Sequence, residues 1–103
     1  MYRGTLVMKE ELLEVNVSYL LDDPKEVDLF LEEAWKTGDS AVIMRAIGMI
    51  AEHKEKNKSQ IANETGISRS AIQRVFSESG NPTLSTFWEI LKALGIKPHF
   101  EVA

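Results

Sequence analysis

The chain of 103 residues contains no cysteine, so neither disulfides nor thiolate metal sites can contribute to it. Its two histidines, His53 and His99, lie far apart in sequence and form no ligand cluster. There is no glycine-rich phosphate loop and no Ser, His and Asp arrangement above chance, so catalysis is not expected, nor any cofactor or metal. No apolar run approaches membrane length. The first residues lack the basic region, long apolar stretch and small-residue cleavage site of a secretory leader. A cytoplasmic protein without a membrane partner is the expectation. The length allows one small domain with a core and no room for a second.

A surplus of positive charge is missing as well. The net charge of −4 argues mildly against nucleic acid as the sole partner, because phosphate neutralisation supplies most nonspecific affinity. The distribution is more informative than the sum. From Lys54 to Arg74 the bases Lys54, Lys56, Lys58, Arg69 and Arg74 outnumber the acids Glu55 and Glu64. From Lys9 to Glu33 the acids Glu10, Glu11, Glu14, Asp22, Asp23, Glu26, Asp28, Glu32 and Glu33 face only Lys9 and Lys25. One basic and one acidic region suggest two kinds of partner.

What the chain does have is the stretch KSQIANETGISRSAIQRVFS, from Lys58 to Ser77, with the pattern of a helix-turn-helix. Ala62 is placed where the helices cross, and Gly66 where the first must stop with positive φ. Ile67 plugs the turn into the core, and Ile61, Ile72 and Val75 complete an apolar face. Ser59 and Ser68 read as the two N-caps. The polar residues left on the second helix are Arg69, Ser70, Gln73, Arg74 and Ser77. Arg can pair bidentately with guanine and Gln with adenine, and a Ser hydroxyl or a helix N-terminus suits phosphate. Helical hairpins that never touch DNA share these spacings, but the caps, the small residue, the turn glycine and the outward Arg and Gln together favour DNA.

Before that stretch, residues 1–8 carry no periodic signal, and Lys9 to Leu21 has the apolar residues for one or two helical turns. Asp23 and Pro24 read as a cap and first-turn proline of a helix with Val27, Phe30, Leu31, Ala34 and Trp35 inward, ended by Gly38. The acids Asp28, Glu32 and Glu33 point away, as a solvated face or a binding surface, and Trp35 reads as core. Asp39 or Ser40 begins the next helix, with Ile43, Ala46, Ile47 and Ile50 buried and Val42 and Met49 beside them. His53 reads as an exposed helix-end residue without a partner.

After the second helix of the motif, Gly80, Asn81 and Pro82 mark a loop. Thr83 caps a last helix with Leu84, Phe87, Trp88, Leu91 and Leu94 on one face, Ile90 and Ile96 widening the apolar surface, and Gly95 ends it. The remaining IKPHFEVA alternates like a short strand, which must pair with another chain or with the N-terminal arm, a symmetry-related copy or a partner sheet being favoured.

Taken together, LEEAWKTGDSAVIMRAIGMIAEHK, SQIANETGISRSAIQRVFS, GNPTL and LKALGIKPHFEVA resemble the phage-repressor-type helix-turn-helix domains. They are similar, more specifically, to the addiction-module antidote proteins related to HigA antitoxins and to prophage DNA-binding proteins. The resemblance implies an all-α, phage-repressor-like bundle of about five helices with a short C-terminal β-strand. The division is an N-terminal arm (1–22), a helical domain (23–96) and the strand (97–103). It implies a DNA-binding antitoxin of a type II toxin–antitoxin module. Such a protein neutralises a small basic toxin of the RelE/ParE fold and represses its own operon as a homodimer on operator DNA. The DNA-binding positions carried over are Ser59, Gln60, Ser68, Arg69, Ser70, Gln73 and Arg74. A stand-alone prophage regulator without a toxin is the alternative.

Overall fold

The computed structural model describes residues 22–77 and 79–103. Among these residues there are five helices: α1 Pro24–Lys36, α2 Ser40–His53, α3 Lys58–Thr65, α4 Arg69–Val75 and α5 Leu84–Ala93. The fold is all-helical among the described residues, and none of the helices is long and apolar enough to cross a membrane. The expected features of residues 1–21, including the helical turns between Lys9 and Leu21, lie outside the described residues.

Each helix starts where a short polar side chain can bond a backbone N–H that has no intrahelical partner. The Asp23 carboxylate accepts from Lys25 N at 2.9 Å, with Pro24 in the first turn, and that of Asp39 accepts from Ala41 N at 3.0 Å. Thr83 Oγ1 accepts from Thr86 N at 3.2 Å. Both acids thus place negative charge at the positive end of a helix dipole.

α2 is the central wall of the bundle, and it is apolar on two sides. Val42, Ala46 and Ile50, spaced four apart, pack with Phe30 and Ala34 of α1. Met44, Ile47 and Ala51 turn the other way, toward Ile61, Ile72, Val75, Ile90, Leu91 and Leu94 of α3, α4 and α5. Leu31, Ile43 and Ile96 touch both clusters and join them. Burying each large aliphatic side chain contributes about 1.5–3 kcal/mol, which lets helices of seven and eight residues persist that would be marginal alone. The expected α2 stripe holds at Ala46, Ile47 and Ile50. Ile43 is only half-buried, whereas Val42, Met44 and Ala51 are fully inside because the helix has neighbours on two sides.

Four expectations are corrected. Trp35 is not core: it is 62% exposed. Val27, Phe30, Leu31 and Ala34 complete the α1 stripe, and the residue after Ala34 is turned about 100° off it. On α5 the buried line is Ile90, Leu91 and Leu94 with Phe87 beside it, while Leu84 and Trp88 are 80% and 46% exposed. Phe87, Leu91 and Leu94 thus stand on the expected face, and only Leu84 and Trp88 fall outside it. His53 is half-buried, with Nε2 3.1 Å from Asp22 Oδ1, so it does have a partner.

The fourth concerns residues 97–103, which form no β-strand: no ladder hydrogen bond reaches them, because no strand among the described residues offers an edge to pair with.

Candidate functional site

The connection from α3 to α4 is three residues, Gly66, Ile67 and Ser68, and each has a distinct task. Gly66 adopts φ 77° and ψ 8°, the left-handed region, and its N–H closes the helix onto Ala62 O at 2.9 Å. Ile67 packs against the core with Ala62, and Ser68 Oγ caps α4 by accepting from Ala71 N at 3.2 Å. Thr65 adds a staple, its Oγ1 donating to Ile61 O at 2.8 Å and accepting from Ile67 N at 3.2 Å. Turn and core residues therefore stand as the spacing predicts.

The start of α3 differs from expectation. The cap is Asn57, not Ser59: Asn57 Oδ1 accepts from Gln60 N and Gln60 Oε1 accepts from Asn57 N, both at 2.8 Å. This is a reciprocal capping box, and Asn three residues before Gln is its legible signal. The helix accordingly begins one residue before Ser59, which leaves that hydroxyl on the outside. There it accepts a hydrogen bond from Arg69 Nε at 2.9 Å. Gln60 is pinned through its oxygen, so its amide NH2 remains to donate outward.

On α4 the two buried residues, Ile72 and Val75, put a definite face inward. Arg69, Ser70, Gln73 and Arg74 are all exposed on the opposite side, with Ser59 and Gln60 exposed at the start of α3. Ser70 Oγ lies 3.4 Å from Ser68 Oγ, which joins the hydroxyls at the start of α4. The structure thus brings Ser59, Gln60, Ser68, Arg69 and Ser70 together around the two helix starts, and sets Gln73 and Arg74 further along α4. No acid is ion-paired to Arg69 or Arg74 among the described residues. Such a face offers hydroxyl and amide donors and two positive charges.

Not every basic residue of this region contributes to that face. Lys56 is turned inward, its Nζ donating to Glu64 Oε1 at 2.7 Å and to Ala93 O at 2.5 Å. It ties α3 to the last turn of α5, while Lys54 and Lys58 stay exposed. Beyond Arg74 the surface dips into a shallow concavity edged by Ser79, Asn81, Thr83 and Thr86. These polar groups lie beside Arg74; of them the sequence marks Asn81 as loop and Thr83 as cap. Gly80, in the same loop, packs against the end of α4: a Cβ there would meet Val75 O at 2.1 Å, so only glycine fits. Ser40 Oγ donates to Gly80 O at 3.2 Å and anchors that loop to the start of α2.

Residues 11–102 match the model of a family described as probable addiction module antidote protein, and the chain belongs to that family. An uncharacterized protein of Haemophilus influenzae (strain Rd) is 36% identical over 90 residues, spanning 87% of this chain and 91% of that protein. No solved structure matches the chain. Membership implies an antitoxin of a toxin–antitoxin module, with a toxin as partner.

Proposed function

We propose that the chain is a DNA-binding, HigA-like antitoxin of a type II module. It neutralises a small basic toxin of the RelE/ParE fold and, as a homodimer, represses its own operon. The observation that carries the DNA reading is the outward face of α4. Arg69, Ser70, Gln73 and Arg74 are exposed there together, beside a tight three-residue turn and a second capped helix start. This supports a phage-repressor-type helix-turn-helix, in which α3 crosses the backbone and α4 enters the major groove. Arg69, Gln73 and Arg74 would read base edges, Arg on guanine and Gln on adenine. Ser59, Gln60, Ser68 and Ser70 would hold phosphates and set the register. In a two-fold dimer the half-sites lie about one helical turn apart.

The toxin reading is supported by family membership and by the outer face of α1. Asp28 and Glu32 are exposed and carry no ion pair among the described residues. Trp35 follows Asp28 by seven residues and Glu32 by three, so all three share a face. An exposed tryptophan flanked by acids suits a basic protein surface, the aromatic ring supplying buried area and the acids steering the encounter.

The test is a titration of the purified chain against its own upstream DNA at two salt concentrations, with and without the product of the neighbouring gene. Sequence-selective, salt-sensitive binding that changes on adding the neighbour is expected. Selective binding indifferent to the neighbour would leave a stand-alone prophage regulator. Loss of selectivity would remove the DNA reading altogether.

A further inference from the structure

The tail beyond Ile96 leaves its backbone groups without protein partners among the described residues. Ile96 is anchored, its N–H donating to Leu91 O at 2.9 Å and its side chain resting against both core clusters. Beyond it, among the described residues, no hydrogen bond or ion pair engages 97–103. Phe100 and Val102 are 79% and 97% exposed. A row of free backbone groups beside exposed apolar side chains is a template for another chain.

We propose that residues 96–102 pair with the same residues of a second copy as an antiparallel two-stranded ribbon whose two-fold axis passes at His99. The occupant follows from charge and alternation. In a strand, Lys97, His99 and Glu101 share one face and Ile96, Pro98, Phe100 and Val102 the other. With the axis at His99, Lys97 of each copy stands opposite Glu101 of the other, so an attractive pair forms twice. On the second face Ile96 meets Val102 and Pro98 meets Phe100.

Three other registers are poorer. Parallel pairing sets Lys97 against Lys97 and Glu101 against Glu101, like charges in direct opposition. Moving the axis to Pro98 opposes Lys97 to His99 and strands Glu101 opposite Gly95. Moving it between Pro98 and His99 puts Lys97 opposite Phe100 and mixes the faces. The proline is also accommodated. When His99 sits in a hydrogen-bonded pair, residues 97, 99 and 101 bond across the ribbon and residue 98 points outward, where Pro98 has no N–H to lose. Because Ile96 already rests on the core, the ribbon's apolar face extends the core surface, with Val102 of the second copy seated opposite it.

This pairing rests on the homodimer of the proposed function and is tested apart from DNA and toxin. The natural chain has no cysteine, so His99→Cys introduces a lone thiol. Under mild oxidation His99→Cys should form a covalent dimer, and Lys97→Cys, which faces residue 101 rather than itself, should do so far more slowly. By light scattering and sedimentation, Lys97→Glu or Glu101→Lys alone should weaken the dimer on the order of tenfold, and the double exchange should restore it. Circular dichroism should match the natural chain throughout, since these side chains are exposed. A natural chain that is monomeric, equal cross-linking at 97 and 99, or failure of the double exchange would overturn the ribbon. If the ribbon fails while operator or toxin binding persists, the proposed function stands on another interface. If the ribbon forms as predicted but neither DNA nor toxin is bound, the function falls and the pairing stands.

Discussion

Arg69 of α4 donates from Nε to Ser59 Oγ of α3 at 2.9 Å, tying together two helix starts that are ten residues apart in sequence. Ser59 therefore orients an arginine rather than capping a helix. Both partners are exposed, so the bond adds little to stability, on the order of 1 kcal/mol or less. What it does is hold a guanidinium whose other N–H groups still face outward.

On the proposed DNA reading, Arg69→Ala should cost about 1–3 kcal/mol at its cognate base and relax specificity there. Ser59→Ala should weaken operator binding by a smaller factor with an unchanged melting temperature. If Ser59 acts through Arg69, the double variant should bind no worse than Arg69→Ala, as a titration cycle would read. Equal loss on all sequences would assign Arg69 to phosphate instead.

Cap identity separates two neighbouring residues by stability alone. Asn57→Ala removes the capping box and should destabilise the chain by about 0.5–2 kcal/mol in urea unfolding, whereas Ser59→Ala should be near neutral. The reverse ranking would return the cap to Ser59.

Two lysines of the same region should respond in opposite ways. Lys58→Gln leaves the fold intact and should reduce the salt dependence of operator binding, by about one unit of slope if Lys58 meets a phosphate. Lys56→Gln, which gives up its bonds to Glu64 and Ala93, should lower the melting temperature and leave the salt slope unchanged.

Gly66→Ala must hold a Cβ in the left-handed region and should cost about 1–2 kcal/mol. Gly80→Ala should cost more, because its Cβ would overlap Val75 O and force the α4–α5 loop to move. Urea midpoints for the two variants check the order.

Trp35→Ala should leave stability within about 0.5 kcal/mol, as expected for an exposed helix position. On the proposed toxin reading it should weaken capture of the neighbouring gene product by at least tenfold, with Asp28→Lys and Glu32→Lys weakening it further and in a salt-dependent way. Unchanged capture would move the toxin surface off α1.

The helical order, the turn at Gly66 and the polar set on α4 were legible in the residues, for a physical reason. Gly66, Ser68, Asp23, Asp39 and Thr83 act within a few residues of themselves, through local dihedrals and short hydrogen bonds, so spacing alone locates them. The buried faces were less legible. A stripe on α5 that includes Leu84 and Trp88 is as apolar as the one that packs, and only the neighbouring helices decide that Ile90 lies inside and those two outside.

By itself, then, the sequence determined where the helices begin and end, the start of α3 excepted, which residues of α4 are polar, and how charge divides between the region from Lys9 to Glu33 and that from Lys54 to Arg74. The tertiary structure decided what depends on neighbours distant in the chain. It set Trp35 and Trp88 outside, turned Lys56 inward to Ala93 and joined Ser59 to Arg69. It also left the alternating tail without a partner, because pairing a strand requires an edge that no described part of a single copy provides.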